Sequence, residues 1–335
     1  MKAWKLTSYG NFSKGIQKMD VPTPVPADDE VLIEVHAAAL NPVDFKIAQG
    51  QLRMVMRLKM PAALGYDCSG VVHQVGKDVT HLKPGDEIFC CAPTVAPGTL
   101  AEWVTIKAHV VMAKPTNLSF AEAASTPLAG LTTLSCMDAI RLKAQEKILI
   151  HAGSGGVGSL AIQYARQLGA EVMTTTGTSN LSWVKRLGAD RVIDYKTQDY
   201  KAVVPPLDVV FDTLGAPFTS EAFPLLVPGG RLVSIAGRKL DKETMQQLGL
   251  PKILQWFLQW QLRPIKKRCE KYQVQYRFVL NEPEPKKLAR LKQLLEEKKI
   301  KPVINHIFSF EEVIPAFEMQ QSGRSKGKNV ILIKS

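Results

Sequence analysis

The chain has little cysteine, no paired metal-ligand motif and no uninterrupted apolar run near the ~20 residues that span a bilayer. Its five cysteines, Cys68, Cys90, Cys91, Cys136 and Cys269, are odd in number and lack the spacing of a disulfide framework. Cys90 and Cys91 are adjacent, without the two-residue gap of a zinc ribbon, and the six histidines are scattered, so no metal is expected. No apolar leader follows Met1-Lys2-Ala3-Trp4-Lys5, which predicts a cytoplasmic protein, soluble or at most peripheral to a membrane. A serine-hydrolase elbow is missing too, because Ala152 stands where the pattern around Ser154 needs glycine.

Acidic residues are scarce in one segment. Between Arg238 and Lys301 there are 17 Lys and Arg against 7 Asp and Glu, which accounts for most of the formal charge of +12. A solvated basic face with a lysine-rich helix is favoured there over attraction for an anionic cofactor, a membrane or nucleic acid. Within it, Met245, Leu248, Ile253, Trp256, Phe257 and Trp260 fit one side of a helix that precedes the cationic Arg263-Pro264-Ile265-Lys266-Lys267-Arg268. Two readings of residues 246–272 stay open: a lid or dimer-contact helix, which is favoured, and an interfacial helix in peripheral contact with a membrane. No recognised RNA-binding motif is present, and nucleic acid is disfavoured as a partner.

What is there begins with Lys147-Ile148-Leu149-Ile150, a short apolar strand that runs into His151-Ala152-Gly153-Ser154-Gly155-Gly156-Val157-Gly158 and then into a helix with Leu160, Ala161, Tyr164, Ala165 and Leu168 on one face. Gly153 permits a tight turn, Gly155 lets backbone approach a pyrophosphate, and Gly158 lets the helix lie close on the strand. A second strand, Glu171 to Thr176, follows at once, so strand, turn, helix and strand together predict a dinucleotide site. The acidic residue that selects NAD is absent from the end of that second strand, where Thr176-Gly177-Thr178-Ser179-Asn180 stands. With Lys185, Arg186 and Tyr195 nearby, NADPH is the predicted cofactor.

A length of 335 residues suggests two domains. Residues 1–120 read as a mostly β domain with frequent turns, such as Lys83-Pro84-Gly85-Asp86. Ser119 and Glu122 form a capping box that opens a helical region. Residues 121–272 alternate strands and helices as in a doubly wound parallel sheet, with an inserted helix near 243–271. Residues 273–335 supply a final strand of that sheet and a tail that includes a helix with Leu288, Leu291, Leu294 and Leu295 on one stripe.

These segments resemble the zinc-independent medium-chain dehydrogenase/reductase superfamily, in its quinone oxidoreductase and alkenal reductase branch. The resemblance runs through Asn41-Pro42-Val43-Asp44, Gly65-Tyr66-Asp67-Cys68-Ser69-Gly70, Lys83 to Asp86, Pro127-Leu128-Ala129-Gly130-Leu131-Thr132-Thr133, Gly153 to Gly158, Val192-Ile193-Asp194-Tyr195, Asp212-Thr213-Leu214-Gly215 and Gly327-Lys328. It implies an α/β fold, with a GroES-like catalytic domain built from both chain ends and a central Rossmann domain. Zinc-dependent relatives have cysteine at the place of Asn41 and a His-Glu pair at the place of Tyr66-Asp67. For this chain the resemblance implies hydride transfer from NADPH to a small electrophilic acceptor, a quinone or an α,β-unsaturated carbonyl compound. The alternative is an NADPH-binding regulatory or RNA-binding protein with little turnover.

By the same resemblance, Asn41 and Thr132 approach the nicotinamide, Gly155, Gly156 and Val157 the pyrophosphate, and Thr178, Ser179 and Tyr195 the adenosine phosphate. Leu214, Ile235 and Asn329 line the nicotinamide cleft. Lys46, Tyr66 and Asn41 are the candidate donors to the acceptor oxygen, with Asp44 or Asp67 to orient them. A homodimer through an edge strand of the Rossmann sheet is also implied. Two features depart from the pattern: Asn180 and Leu181 stand where many relatives hold the 2′-phosphate with a lysine, and Gln51 follows Gly50 where some have tyrosine.

Overall fold

The computed structural model describes residues 1–334 other than 54, 55, 57, 237–239, 242, 243, 246–251, 253–255, 257–259, 261 and 281. The chain forms two compact units, Met1–Leu131 with Glu282–Ser335, and Thr132–Asn281. It enters the second unit after Leu131 rather than after residue 120, because the helix Phe120–Ala124 buries Ala121 and Ala124 against Ala37, Ala39 and Val330 of the first. It leaves after Asn281, because the strand Gln275–Phe278, the final strand expected within residues 273–335, completes the parallel sheet.

The first unit is organised around the strand Glu30–Ala39. Its start pairs with Trp103–Lys107, its end with Lys328–Leu332, and along its other edge it pairs with Asp67–Val75, all antiparallel. Val31, Ile33 and Val35 are fully buried, as their alternation predicts. The register places Ala39 between Asp67 on one neighbour and Val330 on the other. That register sets the first half of the site, since Asn41 lies just past Ala39 and Lys328 just before Val330. The capping box of Ser119 and Glu122 forms, each side chain bonding the other residue's backbone amide.

The second unit carries a parallel sheet in the order Arg191–Asp194, Glu171–Thr176, Lys147–Ile150, Leu207–Asp212, Leu226–Ser234, Gln275–Phe278 among the described residues. Ile148, Leu149, Ile150, Val209, Val210 and Phe211 are buried on both faces of the sheet, which explains their unbroken apolar runs. Strand order reverses between Lys147–Ile150 and Leu207–Asp212, the switch point at which open parallel sheets bind ligands.

The inserted segment differs from expectation. Leu248, Ile253 and Phe257 lie outside the described residues. Met245 is buried in the core of this unit, but Trp256 and Trp260, expected on the same side, are 71% and 53% exposed. The core-facing places are taken by Leu262 and Ile265, at the start of the helix Arg263–Tyr272. No helix among the described residues is long and apolar enough to cross a membrane.

Candidate functional site

In the second unit the site is built from backbone. The helix Gly156–Gln167 starts directly from the turn, with Gly155 as N-cap, no side-chain cap and no acidic residue in its first turn. The amides of Gly156, Val157 and Gly158 are those that a helix start leaves without an intrahelical acceptor. They suit the phosphates of a dinucleotide, and the helix dipole favours negative charge there. Two glycines are sterically fixed: a Cβ at Gly153 would sit 2.2 Å from Thr174 Oγ1, and one at Gly158 would sit 2.3 Å from the Ala152 carbonyl oxygen. At Gly155 the one atom within 4 Å would be the Ala152 carbonyl oxygen, 3.3 Å away, which is tight but the loosest of the three. The cradle fits a pyrophosphate held by the amides of the helix start.

At the end of the second strand, Thr178 and Ser179 are exposed on a short 3-10 turn, and Tyr195 is 60% exposed. A carboxylate does stand here, although not on the strand where it was sought: Asp194 is the register partner of Thr176. It is already committed, accepting from Thr178 Oγ1 at 2.6 Å and from the Lys196 amide at 3.0 Å, and the Thr178 bond holds its pKa below the usual carboxylate range. Of the expected cations, Lys185 bonds the Asp190 carbonyl and Arg186 is exposed. Lys196 joins Tyr195 at this turn, a cation that the motif Val192-Ile193-Asp194-Tyr195 does not include. Its Cε and the Tyr195 hydroxyl both lie 3.5 Å from where a Gly177 Cβ would be, so both flank the Thr176–Thr178 turn.

At the switch point, Asp212 organises the loop after its strand. It accepts from the amides of Leu214 and Gly215, from Thr219 Oγ1 at 2.5 Å and from Ser234 Oγ at 2.9 Å, with His151 Nδ1 at 3.5 Å. Burial pushes its pKa up, but the bonds from His151, Thr219 and Gly215 outweigh this and hold it low. Leu214 is thereby fixed with its side chain 43% exposed, and the half-buried Ile235 donates its amide to the Asp212 carbonyl. Thr132 is buried in the helix Pro127–Ile140.

A cavity of about 540 Å³ opens at the other end of this sheet, lined by Ile140, Arg141, Lys143, Glu146, Arg231 and Arg277 among others. It lies at the amino ends of the strands, where open parallel sheets do not bind cofactor. Arg231 there bonds the carbonyls of Ile140 and Arg141 and the Glu146 carboxylate, a cap on the preceding helix.

In the first unit the site is built from side chains. Asn41, Asp44, Asp67 and Lys328 are each at least nine-tenths buried. The Lys328 ammonium bonds Asn41 Oδ1 and lies 3.1 Å from Asp67 Oδ2, while Asn41 Nδ2 donates to that same oxygen at 2.9 Å and to the Ala39 carbonyl at 3.4 Å. Asp67 Oδ1 accepts the Leu128 amide at 2.8 Å. Burial pushes the Asp67 pKa up while Lys328 and Asn41 pull it back. Asp44 Oδ2 accepts the Asn41 amide at 2.7 Å in a capping box for the helix Pro42–Ala48, but its Oδ1 is buried without a hydrogen bond. Burial raises the Asp44 pKa to about 7.

The three expected donors thus differ in what they have left to give. Both amide protons of Asn41 are spent within this knot. The Tyr66 hydroxyl donates to the Thr94 carbonyl at 3.3 Å, and burial raises its pKa. Lys46 is half-buried, its pKa lowered by burial, and its ammonium has no hydrogen-bond or ion-pair partner among the described residues. Asn329, expected beside the nicotinamide, has its amide engaged by Gln320, Ser325 and Asn305. Its neighbour Lys328 is the residue that enters the cluster. Gly327-Lys328 belongs to the resemblance without an assigned role, and the sequence does not single Lys328 out from Arg324 and Lys326, which precede it before the apolar run Val330 to Ile333.

Comparison with known proteins agrees with this architecture. Residues 27–116 match the family model described as alcohol dehydrogenase GroES-like domain, and residues 187–331 that described as zinc-binding dehydrogenase. The chain is 34% identical to the 2-methylene-furan-3-one reductase of Solanum lycopersicum, over 99% of this chain and 79% of that protein. It is 32% identical to the chloroplastic NADPH-dependent alkenal/one oxidoreductase of Arabidopsis thaliana, with the same coverage. The solved quinone oxidoreductase of Coxiella burnetii superposes with a TM-score of 0.87 at 32% identity, covering 100% of this chain and 99% of that one.

Proposed function

Because the chain belongs to the medium-chain dehydrogenase/reductase superfamily, in its quinone oxidoreductase and alkenal reductase branch, we propose that it reduces a quinone or an α,β-unsaturated carbonyl compound with NADPH and without zinc. It is an NADPH-dependent oxidoreductase. NADPH, when bound, supplies a hydride, and the acceptor oxygen gains negative charge as the hydride reaches carbon. The Gly153–Gly158 turn holds the pyrophosphate, and the Thr176–Thr178 turn with Tyr195 and Lys196 receives the 2′-phosphate.

The observation that carries the acceptor half is Lys46. A half-buried ammonium without a partner among the described residues has hydrogen bonds to give, and a forming oxyanion is the group it stabilises best. Its lowered pKa eases transfer of a proton to that oxygen. Asn41 and Asp67 do not touch the acceptor. They brace the start of the helix Pro42–Ala48, from which Lys46 projects.

What supports the zinc-free reading is the donor set. The family description implies a zinc ion, but Asn41 and Asp67 already share a lysine ammonium, and a second cation beside Lys328 would be repelled. No group of three or more His, Cys, Asp or Glu among the described residues could hold a metal. No step is therefore assigned to zinc.

The test is NADPH oxidation, followed by the absorbance of the reduced nicotinamide, against quinones, alkenals and enones with NADH in parallel. Turnover with any of these classes supports the reading, and tight NADPH binding with no turnover on any of them overturns it. Lys46→Met is expected to lower kcat about 10²-fold while NADPH affinity and the thermal midpoint stay unchanged. Full activity in that variant would remove Lys46 from the site.

A further inference from the structure

The cavity of about 540 Å³ at the amino ends of the strands is lined by no residue of the Gly153–Gly158 turn or of the Thr176–Thr178 turn, and its size suits a small molecule. Its polar groups divide into spent and free. Glu146 accepts from the Lys143 amide at 2.8 Å and from Arg231, and Asp208 accepts from the Lys147 amide at 2.8 Å. Both acids are thus engaged. Arg231 also holds the carbonyls of Ile140 and Arg141, and Arg277 pairs with Asp241 at 3.2 Å. What remains is cationic or donating: the side chains of Arg141, Lys143 and Gln275 are exposed and make no hydrogen bond or ion pair among the described residues. Ile140, Val227 and Pro228 add an apolar part to the lining.

Arg141 stands at this cavity against the preference of its own backbone. The helix Pro127–Ile140 closes with the Leu142 amide on the Met137 carbonyl at 3.2 Å and the Arg141 amide on the Asp138 carbonyl at 3.1 Å, the paired bonds of a Schellman end. Arg141 is thereby held at φ +48°, the left-handed conformation in which glycine usually closes a helix. Glycine would end the helix with less strain. What arginine adds is its guanidinium, and a strained residue whose side chain lines a cavity unpaired points to a ligand. A helix end would by itself repel an anion, but Arg231 already covers the carbonyls of Ile140 and Arg141.

We infer that this cavity is a second binding site, separate from the cofactor site, for the dianion of a small phosphate monoester. Two unpaired cations balance the charge that such an ester carries near neutral pH. The Arg141 fork takes two phosphate oxygens, Lys143 adds a point charge, and the Gln275 amide donates to the third oxygen. The organic group lies against Ile140, Val227 and Pro228. The inference is independent of which acceptor the protein reduces.

Phenyl phosphate is titrated by calorimetry into the full chain saturated with NADP⁺, which fills the phosphate positions of the glycine turn, with inorganic phosphate and phenol in parallel. Phenyl phosphate is expected to bind with a Kd of about 1 mM or tighter at low salt, and most of the binding is lost at about 0.5 M salt. Inorganic phosphate should bind at least about tenfold more weakly, because it leaves the apolar lining uncovered. Arg141→Gly and Lys143→Gln are each expected to weaken phenyl phosphate about fivefold, and together about 25-fold, with NADPH affinity unchanged. Arg141→Gly should also melt at or above the parent, since glycine relieves the left-handed backbone. The inference is overturned if phenyl phosphate does not bind, if inorganic phosphate or phenol binds equally well, or if both variants bind like the parent. A lower midpoint in Arg141→Gly would overturn it as well, by making the arginine side chain a part of the fold.

Discussion

The glycine turn of the second unit and the Asn41–Asp67–Lys328 knot of the first solve opposite problems. The turn keeps its polar groups unspent: the backbone amides at the helix start have no side-chain cap, and glycines let the turn stay tight. The knot spends nearly everything. A lysine, an asparagine and an aspartate satisfy one another out of water, and one Asp44 oxygen is left over. A site for an external anion must be left unsatisfied by its own protein, whereas a scaffold for a reactive group must be satisfied completely. Lys46, on the helix that the knot braces, joins the two designs, since its backbone is fixed and its head uncommitted.

The largest effect should come from removing the cation of the knot. Lys328→Met leaves Asp67 buried opposite no charge, which is expected to cost about 3–5 kcal/mol and lower the thermal midpoint accordingly. Adding Asp67→Asn should recover part of that loss. If Lys328→Met melts with the parent, the knot is not a structural brace. A smaller contrast divides the glycines. Gly158→Ala drives a Cβ into backbone and is expected to cost about 2–3 kcal/mol of stability together with NADPH affinity. Gly155→Ala meets a backbone oxygen at 3.3 Å rather than 2.3 Å, so its midpoint should fall less, by about 1 kcal/mol or under, while NADPH affinity falls at least about tenfold. Equal behaviour of the two alanine variants, in calorimetry and cofactor titration, would erase the distinction between packing and ligand space.

The second unit was largely legible in the sequence because its rules are local. Apolar runs at Lys147–Ile150 and Leu207–Asp212 can only be strands buried on both faces, and glycine at 153 and 158 is forced by contacts within a few residues or with the next strand. The first unit was legible as short strands but not as a site. Lys328 meets Asn41 across 287 positions of sequence, through a register in which Ala39 sits between Asp67 and Val330, and no local pattern encodes that pairing. The same limit applied to Asp194. The acidic residue was sought at the end of its own strand, and the carboxylate arrived from the neighbouring one. For the inserted segment, helical periodicity shows that two faces exist but not which residues turn inward: among the described residues Met245, Leu262 and Ile265 lie in the core, and Trp256 and Trp260 are exposed.

The unmatched Asp44 oxygen gives the knot a pH signature. Its pKa is raised from 3.8 to about 7, with burial as the main cause, so the folded chain holds a proton that the unfolded chain releases. Stability from this group is full below the ordinary carboxylate range and is lost as pH rises through about 7. Asp44→Asn keeps an acceptor for the Asn41 amide but cannot ionise. Relative to the parent, the variant should gain about 1–3 kcal/mol between the acid end of that window and its neutral end. Asp67 is present in both proteins and cancels in the comparison. Parallel melting curves for the two across the window would show that Asp44 does not carry the proton.

The smallest expected effect belongs to the open end of the cofactor site, where the two designs meet in miniature. Asp194 stays ionised, but both its oxygens are engaged, by Thr178 and by the Lys196 amide, while the Lys196 and Tyr195 side chains stay exposed beside Gly177. The preference for NADPH over NADH should therefore rest on Lys196 and the hydroxyls of Thr178 and Ser179. An exposed charge pair contributes about 1 kcal/mol, so Lys196→Ala should reduce the ratio of kcat/KM for NADPH to that for NADH about fivefold, with the NADH value unchanged. The effect should shrink with added salt, as for any solvent-exposed pair. Thr178→Val removes an exposed hydroxyl that could donate to the 2′-phosphate and frees an Asp194 oxygen to accept from a ribose hydroxyl, so that variant should shift the ratio in the same direction. A ratio unmoved by either substitution would mean that discrimination comes from outside this turn.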